Sequence, residues 1–98
     1  MLVRIVRLTF KEEEVATFLQ IFEESKDLIR NFKGCNELNL LQQKDQPNIF
    51  STLSIWENEE ALENYRHSDL FKSTWTKTKV LFDAKPAAWS FDKLHHLP

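Results

Sequence analysis

The strand-like stretches of this chain are apolar on both of their faces, whereas a layer of helices can cover only one face of a sheet. From Leu2 to Phe10, Val6, Leu8 and Phe10 fall on one side and Val3, Ile5, Arg7 and Thr9 on the other. From Ile49 to Trp56, Ile49, Leu53 and Ile55 oppose Phe50 and Trp56. Leaving about four large side chains wet would forgo roughly 6–12 kcal/mol, at about 1.5–3 kcal/mol each. That is comparable with the whole stability of a small domain. A second copy packed on the bare face removes the cost, and a two-fold pair is the commonest closed arrangement. The sequence therefore predicts a homodimer joined through its sheet faces, in preference to a monomer with a partly wet sheet.

Between these strands the periodicity changes. Val15, Phe18, Leu19, Phe22, Ile29 and Phe32 recur at helical spacing over roughly 20 residues. Thr9 and Glu12 fit a capping box at the start of this helix, and Gly34 fits a left-handed residue at its end. Glu37 to Gln43 reads as a second strand. The stretch 44–48, with Asp45, Pro47 and Asn48, is turn chemistry, so 37–56 reads as a hairpin. Asn58 can cap a short helix carrying Ala61, Leu62 and Tyr65. Ser68 or Asp69 restarts it, with Phe71, Trp75, Thr78 and Phe82 on one side, and Pro86 stops it. Trp89 to Leu94 supplies the last strand. The whole predicts one domain over residues 1–98, of the α+β class. Its β-α-β-β-α-β order is the ferredoxin-like split arrangement, an antiparallel sheet with helices on one face.

Composition excludes several functions. The formal net charge of −2 argues against nucleic acid, which needs a clustered basic surface. A single glycine cannot build a glycine-rich nucleotide cradle. No apolar run is long enough to span a membrane, and Met1 leads straight into a strand pattern instead of a signal peptide. The lone Cys35 cannot form an internal disulfide, so a cytoplasmic setting is the simplest expectation. No His, Cys or carboxylate spacing predicts a metal site; His95 and His96 are adjacent and would point apart on an extended chain.

Four segments carry a resemblance: 3–10 (VRIVRLTF), 32–35 (FKGC), 55–62 (IWENEEAL) and 65–71 (YRHSDLF). Together they resemble the antibiotic biosynthesis monooxygenase domain family over nearly the whole chain. The resemblance implies a dimeric α/β barrel with a hydrophobic pocket in each protomer between sheet and helices. It also implies oxidation of aromatic or quinol-type substrates by O2 without metal or flavin, so no cofactor is expected. A sub-branch degrades haem with an Asn, a Trp and a His that fall here on Val6, Tyr65 and Trp75. None matches, and an indole cannot ligate iron.

The candidate residues follow from chemistry and from that resemblance together. Tyr65 and Trp75 lie on apolar helix faces, where core packing alone would account for them. As pocket wall they could hold a flat ring, with Phe71, Phe22 and Val6 completing it. Tyr65 can donate a hydrogen bond or pass a proton, and His67, at the break between helices, is the best general base by chemistry alone. Tyr65 and His67 are thus the catalytic candidates. Arg7, on the face assigned to the dimer, would pair across the interface or bind an anionic substrate; Arg4 is expected near a sheet edge. Cys35, at a helix C-terminus, is expected to be buried and inert. The function the resemblance implies, with these residues in those roles, is a cofactor-independent monooxygenase of a small aromatic or quinol-like substrate. A non-catalytic binding or regulatory barrel, or a non-oxidative isomerase, remains open.

Overall fold

A computed structural model of residues 1–98 shows four strands and three helices in the expected order. They are β1 (Leu2–Thr9), α1 (Val15–Arg30), β2 (Cys35–Gln42), β3 (Ile49–Trp56), α2 (Glu59–Arg66), α3 (Asp69–Lys79) and β4 (Ala87–Asp92). The strands form one antiparallel sheet in the order β2-β3-β1-β4. The hairpin is β2–β3, and its turn closes through Gln43 N–H donating to the Ile49 carbonyl at 2.8 Å.

Strand parity assigns the two faces. Cross-strand partners share a side, so the rows Phe91–Val3–Ile55–Glu37 and Trp89–Ile5–Leu53–Asn39 lie on one face. On the other lie Arg4, Val6 and Leu8 with Phe50, Thr52, Ser54 and Trp56, beneath the helices. Phe10, Phe18, Phe50, Leu8 and Leu81 form one buried cluster, and Trp56, Leu62 and Cys35 a second. No helix covers the face away from α1–α3, although Ile55 on it is buried by its neighbours and Val3, Ile5 and Leu53 are half-buried. Trp89 and Phe91 there remain 45 % and 49 % exposed. The sequence argument about a bare apolar face therefore holds in part: the exposed side chains are those of the edge strand β4, not Ile55 of β3.

The breaks in the helices are built as local chemistry requires. The Asn58 carbonyl oxygen accepts from the Ala61 N–H at 2.8 Å, capping α2. Ser68, and not Asp69, restarts the chain as α3: its hydroxyl accepts from the Phe71 N–H at 3.1 Å and donates to the Tyr65 carbonyl at 2.6 Å. One hydroxyl thus ties the end of α2 to the start of α3.

Four expectations need correction. The capping box at Thr9 does not form, because Thr9 stays in the sheet opposite Ile49 and a 3₁₀ turn at Glu12–Glu14 precedes α1. Gly34 does adopt a left-handed φ of 89°, but α1 ends earlier, capped at Asn31. Gly34 instead serves the turn into β2, so Cys35 begins a strand and does not end a helix. Phe82 and Pro86 lie beyond α3. The last helix ends at Lys79 because Phe82 forms a β-bridge with Phe10, and Asp83 N–H donates to the Thr9 carbonyl at 2.8 Å. Arg4 is not near an edge: β1 is an interior strand, flanked by β3 and β4.

Candidate functional site

The two buried clusters leave a gap between them, and a cavity of about 360 Å³ fills it. That is within the roughly 300–1,000 Å³ range of small-molecule sites. Its floor is the helix-facing side of the sheet, including Arg4, Val6, Leu8, Thr52, Ser54 and Trp56; α1, α2 and α3 form the walls. The gap persists because aromatic rings too rigid to collapse stand around it. Tyr65 stacks on Trp56 with centroids 5.0 Å apart and meets Phe71 edge-on at 5.3 Å. Phe71 stacks on Trp75 at 5.7 Å, and Trp75 reaches Phe82 at 5.5 Å. An aromatic arc therefore runs from one cluster to the other, and the Ser68 hydroxyl fixes the helix junction within it.

Several polar side chains of the lining are already engaged. Ser25 donates to the Ile21 carbonyl at 2.8 Å, Thr78 to the Thr74 carbonyl at 2.8 Å, and Ser54 accepts the Trp56 indole N–H at 2.9 Å. The Tyr65 phenol differs. No buried polar side-chain atom of the chain lacks a partner, and no protein group bonds this hydroxyl, so its oxygen keeps solvent access in a residue that lines the cavity. Burial pushes the phenol well above its ordinary pKa, with the Cys35 thiolate charge adding to the effect. It therefore stays protonated and acts as a hydrogen-bond donor, not a base.

Two guanidinium groups complete the lining. Arg4 donates to the Ser90 hydroxyl at 3.0 Å, and Arg66 pairs with the Glu63 carboxylate at 2.8 Å. Desolvation lowers the Arg4 pKa, the Arg66 charge lowers it further, and Glu63 partly offsets both. The lining contains no carboxylate, imidazole or thiol. No group of three or more His, Cys, Asp or Glu gathers anywhere in the chain to hold a metal ion.

Of the residues singled out by sequence, Tyr65, Val6, Phe22, Phe71 and Trp75 come together at this cavity. Two do not. His67 lies outside it at the C-cap of α2, its side chain 76 % exposed, with Nδ1 2.8 Å from the Glu63 carbonyl. Arg7 is on the opposite sheet face, its guanidinium 5.8 Å from the centre of the Trp89 ring. The sequence reading missed Arg4, although the signal was present: it shares strand parity with Val6 and Leu8, whereas Arg7 does not. Arg66, Trp56 and Leu62 are further lining residues it did not assign.

The sequence model of the family described as antibiotic biosynthesis monooxygenase matches residues 1–77. The chain belongs to that family. No curated protein matches it in sequence. Solved structures share its fold at low identity. A conserved protein from Methanosarcina mazei Go1 is 22 % identical, covers 95 % of this chain and 93 % of its own, and has a TM-score of 0.88. An antibiotic biosynthesis monooxygenase is 18 % identical over 97 % of this chain and 100 % of its own, with a TM-score of 0.91. A point mutant of SnoaB, a cofactor-independent oxygenase from Streptomyces nogalater, is 18 % identical over 99 % and 96 %, with a TM-score of 0.87. These likenesses establish the open four-stranded ferredoxin-like sheet. No helix of this member of the family is long and apolar enough to cross a membrane.

Proposed function

We propose that this family member is a cofactor-independent monooxygenase that takes a small aromatic or quinol-like substrate into the cavity and works as a homodimer through the bare sheet faces. The observation that carries the reading is the cavity itself, aromatic-walled and holding a phenol hydroxyl that no protein group uses. Phe22, Phe71, Trp75 and Val6 sandwich the ring and exclude water. Tyr65 donates a hydrogen bond to the ring oxygen and so favours the electron-rich, deprotonated form. That form reduces O2 directly. One oxygen atom enters the ring carbon as a carbonyl and the other leaves as water. The four electrons come from the substrate C–H bonds, so no external reductant is required. The oxygenase activity named for SnoaB, on the same fold, supports this chemistry.

A second reading is favoured by one observation. The cavity has no residue that titrates near neutrality, as a non-catalytic ligand-binding barrel would have. An oxygen-electrode assay with anthrones and quinols separates the two. Oxygenase function predicts substrate-dependent O2 uptake that falls on Tyr65→Phe. Thermal stabilisation by the same compounds without uptake indicates binding alone. Substrate loss without uptake indicates non-oxidative turnover and overturns the proposal.

A further inference from the structure

We infer that the cavity is built for an aromatic acid: a flat ring among Tyr65, Phe71 and Trp75 whose anionic oxygen is held by Arg4 and Arg66. This rests on the reading of the cavity as a small-molecule site and names the class of molecule that fills it.

Arg4 is the anomaly that requires explanation. It lies on an interior strand, on the helix-facing side between Leu2 and Val6, where apolar side chains are the rule. Its guanidinium is only partly drawn out of water, its bond to the exposed Ser90 lying at the open side of the site, and a counter-charge would stabilise it further. Arg4 has none: it takes part in none of the chain's ion pairs, and its hydrogen bond goes to the neutral Ser90 hydroxyl. The second cation at the same end of the cavity, Arg66, shares its charge with Glu63. The charged groups near Arg4 are Arg66 and Glu63, so this end carries a net positive charge. Mutual repulsion of two arginines is a cost the empty chain bears and an anion removes.

Geometry favours a carboxylate or an equally acidic ring oxygen over a phosphate. The rest of the lining is dominated by apolar residues, and its other donors without a protein partner, the Tyr65, Thr52 and Thr74 hydroxyls and the Trp75 indole N–H, are neutral. A planar fork of N–H donors matches a carboxylate edge-on, which suits an acid group carried on a flat ring. Arg7, which the sequence offered for an anionic substrate, faces Trp89 on the other side of the sheet; the role passes to Arg4.

The test uses two isosteric probes of the full chain, 2-naphthoate and neutral 2-naphthamide, by calorimetric titration at low and high salt. The expected result is that naphthoate binds the wild type about tenfold or more tightly than naphthamide, the factor a charge-assisted contact supplies. Added salt should erode that preference. Arg4→Gln should abolish the preference, lowering naphthoate affinity about tenfold more than it lowers naphthamide affinity, and Arg4→Lys should restore part of it. Should the glutamine variant fold poorly, the wild-type preference and its salt dependence decide alone. Equal binding of both probes overturns this inference and leaves the aromatic cavity intact. Binding of neither overturns the inference and the cavity reading together.

Discussion

Replacing Gly34 by alanine tests how the chain closes the cavity's α2 wall. Gly34 sits at φ 89°, and a Cβ built there would lie 2.5 Å from the Ala61 Cβ on α2. Its carbonyl accepts the Glu57 N–H at 2.8 Å, so the turn cannot swing away without breaking the entry to α2. Two costs follow. A side chain in the left-handed region costs about 1–2 kcal/mol. Overpacking against a methyl that has no rotamer to yield adds about 1–3 kcal/mol. The sum, about 2–5 kcal/mol, is a large part of the stability of a small domain. Gly34→Ala should therefore lower the urea midpoint strongly at unchanged m, and lower Tm by about 10 °C or more. A double-mutant cycle separates the terms. Ala61→Gly alone costs about 1 kcal/mol as a glycine in a helix. In the Gly34→Ala background it should recover the packing term, giving a coupling of about 1–3 kcal/mol. Because Ala61 lies one turn before Tyr65 on the same helix face, the single variant should also weaken naphthamide binding. A loss below about 0.5 kcal/mol, or a gain from a stiffer unfolded chain, would refute the strain argument. A coupling of zero would refute the contact.

Further outcomes follow from burial and from the bare sheet. Tyr65 is the single tyrosine, so tyrosinate absorbance reports it alone. Its folded pKa is raised, so the stability it contributes is complete below the ordinary value near 10 and is lost as pH rises above it. Tyrosinate should appear together with loss of the circular-dichroism signal; ionisation in a still-folded chain contradicts the burial. Cys35 is buried and desolvation raises its thiol pKa, so Ellman's reagent should modify it quickly in urea and slowly in the native state. Fast native modification would contradict that placement. Trp89→Asp should convert a sedimenting dimer to monomer at micromolar concentration with the helical signal kept, and a wild-type monomer would remove the homodimer from the proposal.

The sequence carried the element order and both sheet faces, because alternation and helical spacing are local consequences of backbone geometry. β3 was legible to the residue, and the Asn58 cap and the break at Ser68 were readable from hydrogen-bonding chemistry. The errors came where distant segments compete for the same backbone. Thr9 could cap a helix, but pairing with Ile49 holds it in the sheet. Phe82 fits the α3 pattern, but its bridge to Phe10 ends the helix sooner. His67 had the right chemistry for a base, yet its position at a helix end turned it to solvent.

For the site, the sequence by itself determined which residues could share a face: Val6 with Leu8, Tyr65 with Leu62, Phe71 with Trp75. Only the tertiary structure decided that these faces stop short of one another and leave a cavity. Periodicity records which side of an element is apolar, not the distance to the opposite element or the rings that hold the two apart. The same holds for Arg4 and Arg7, three residues apart on one strand. Parity separates them, but the docking of the helices decides which of the two arginines lines the cavity and which lies on the uncovered face.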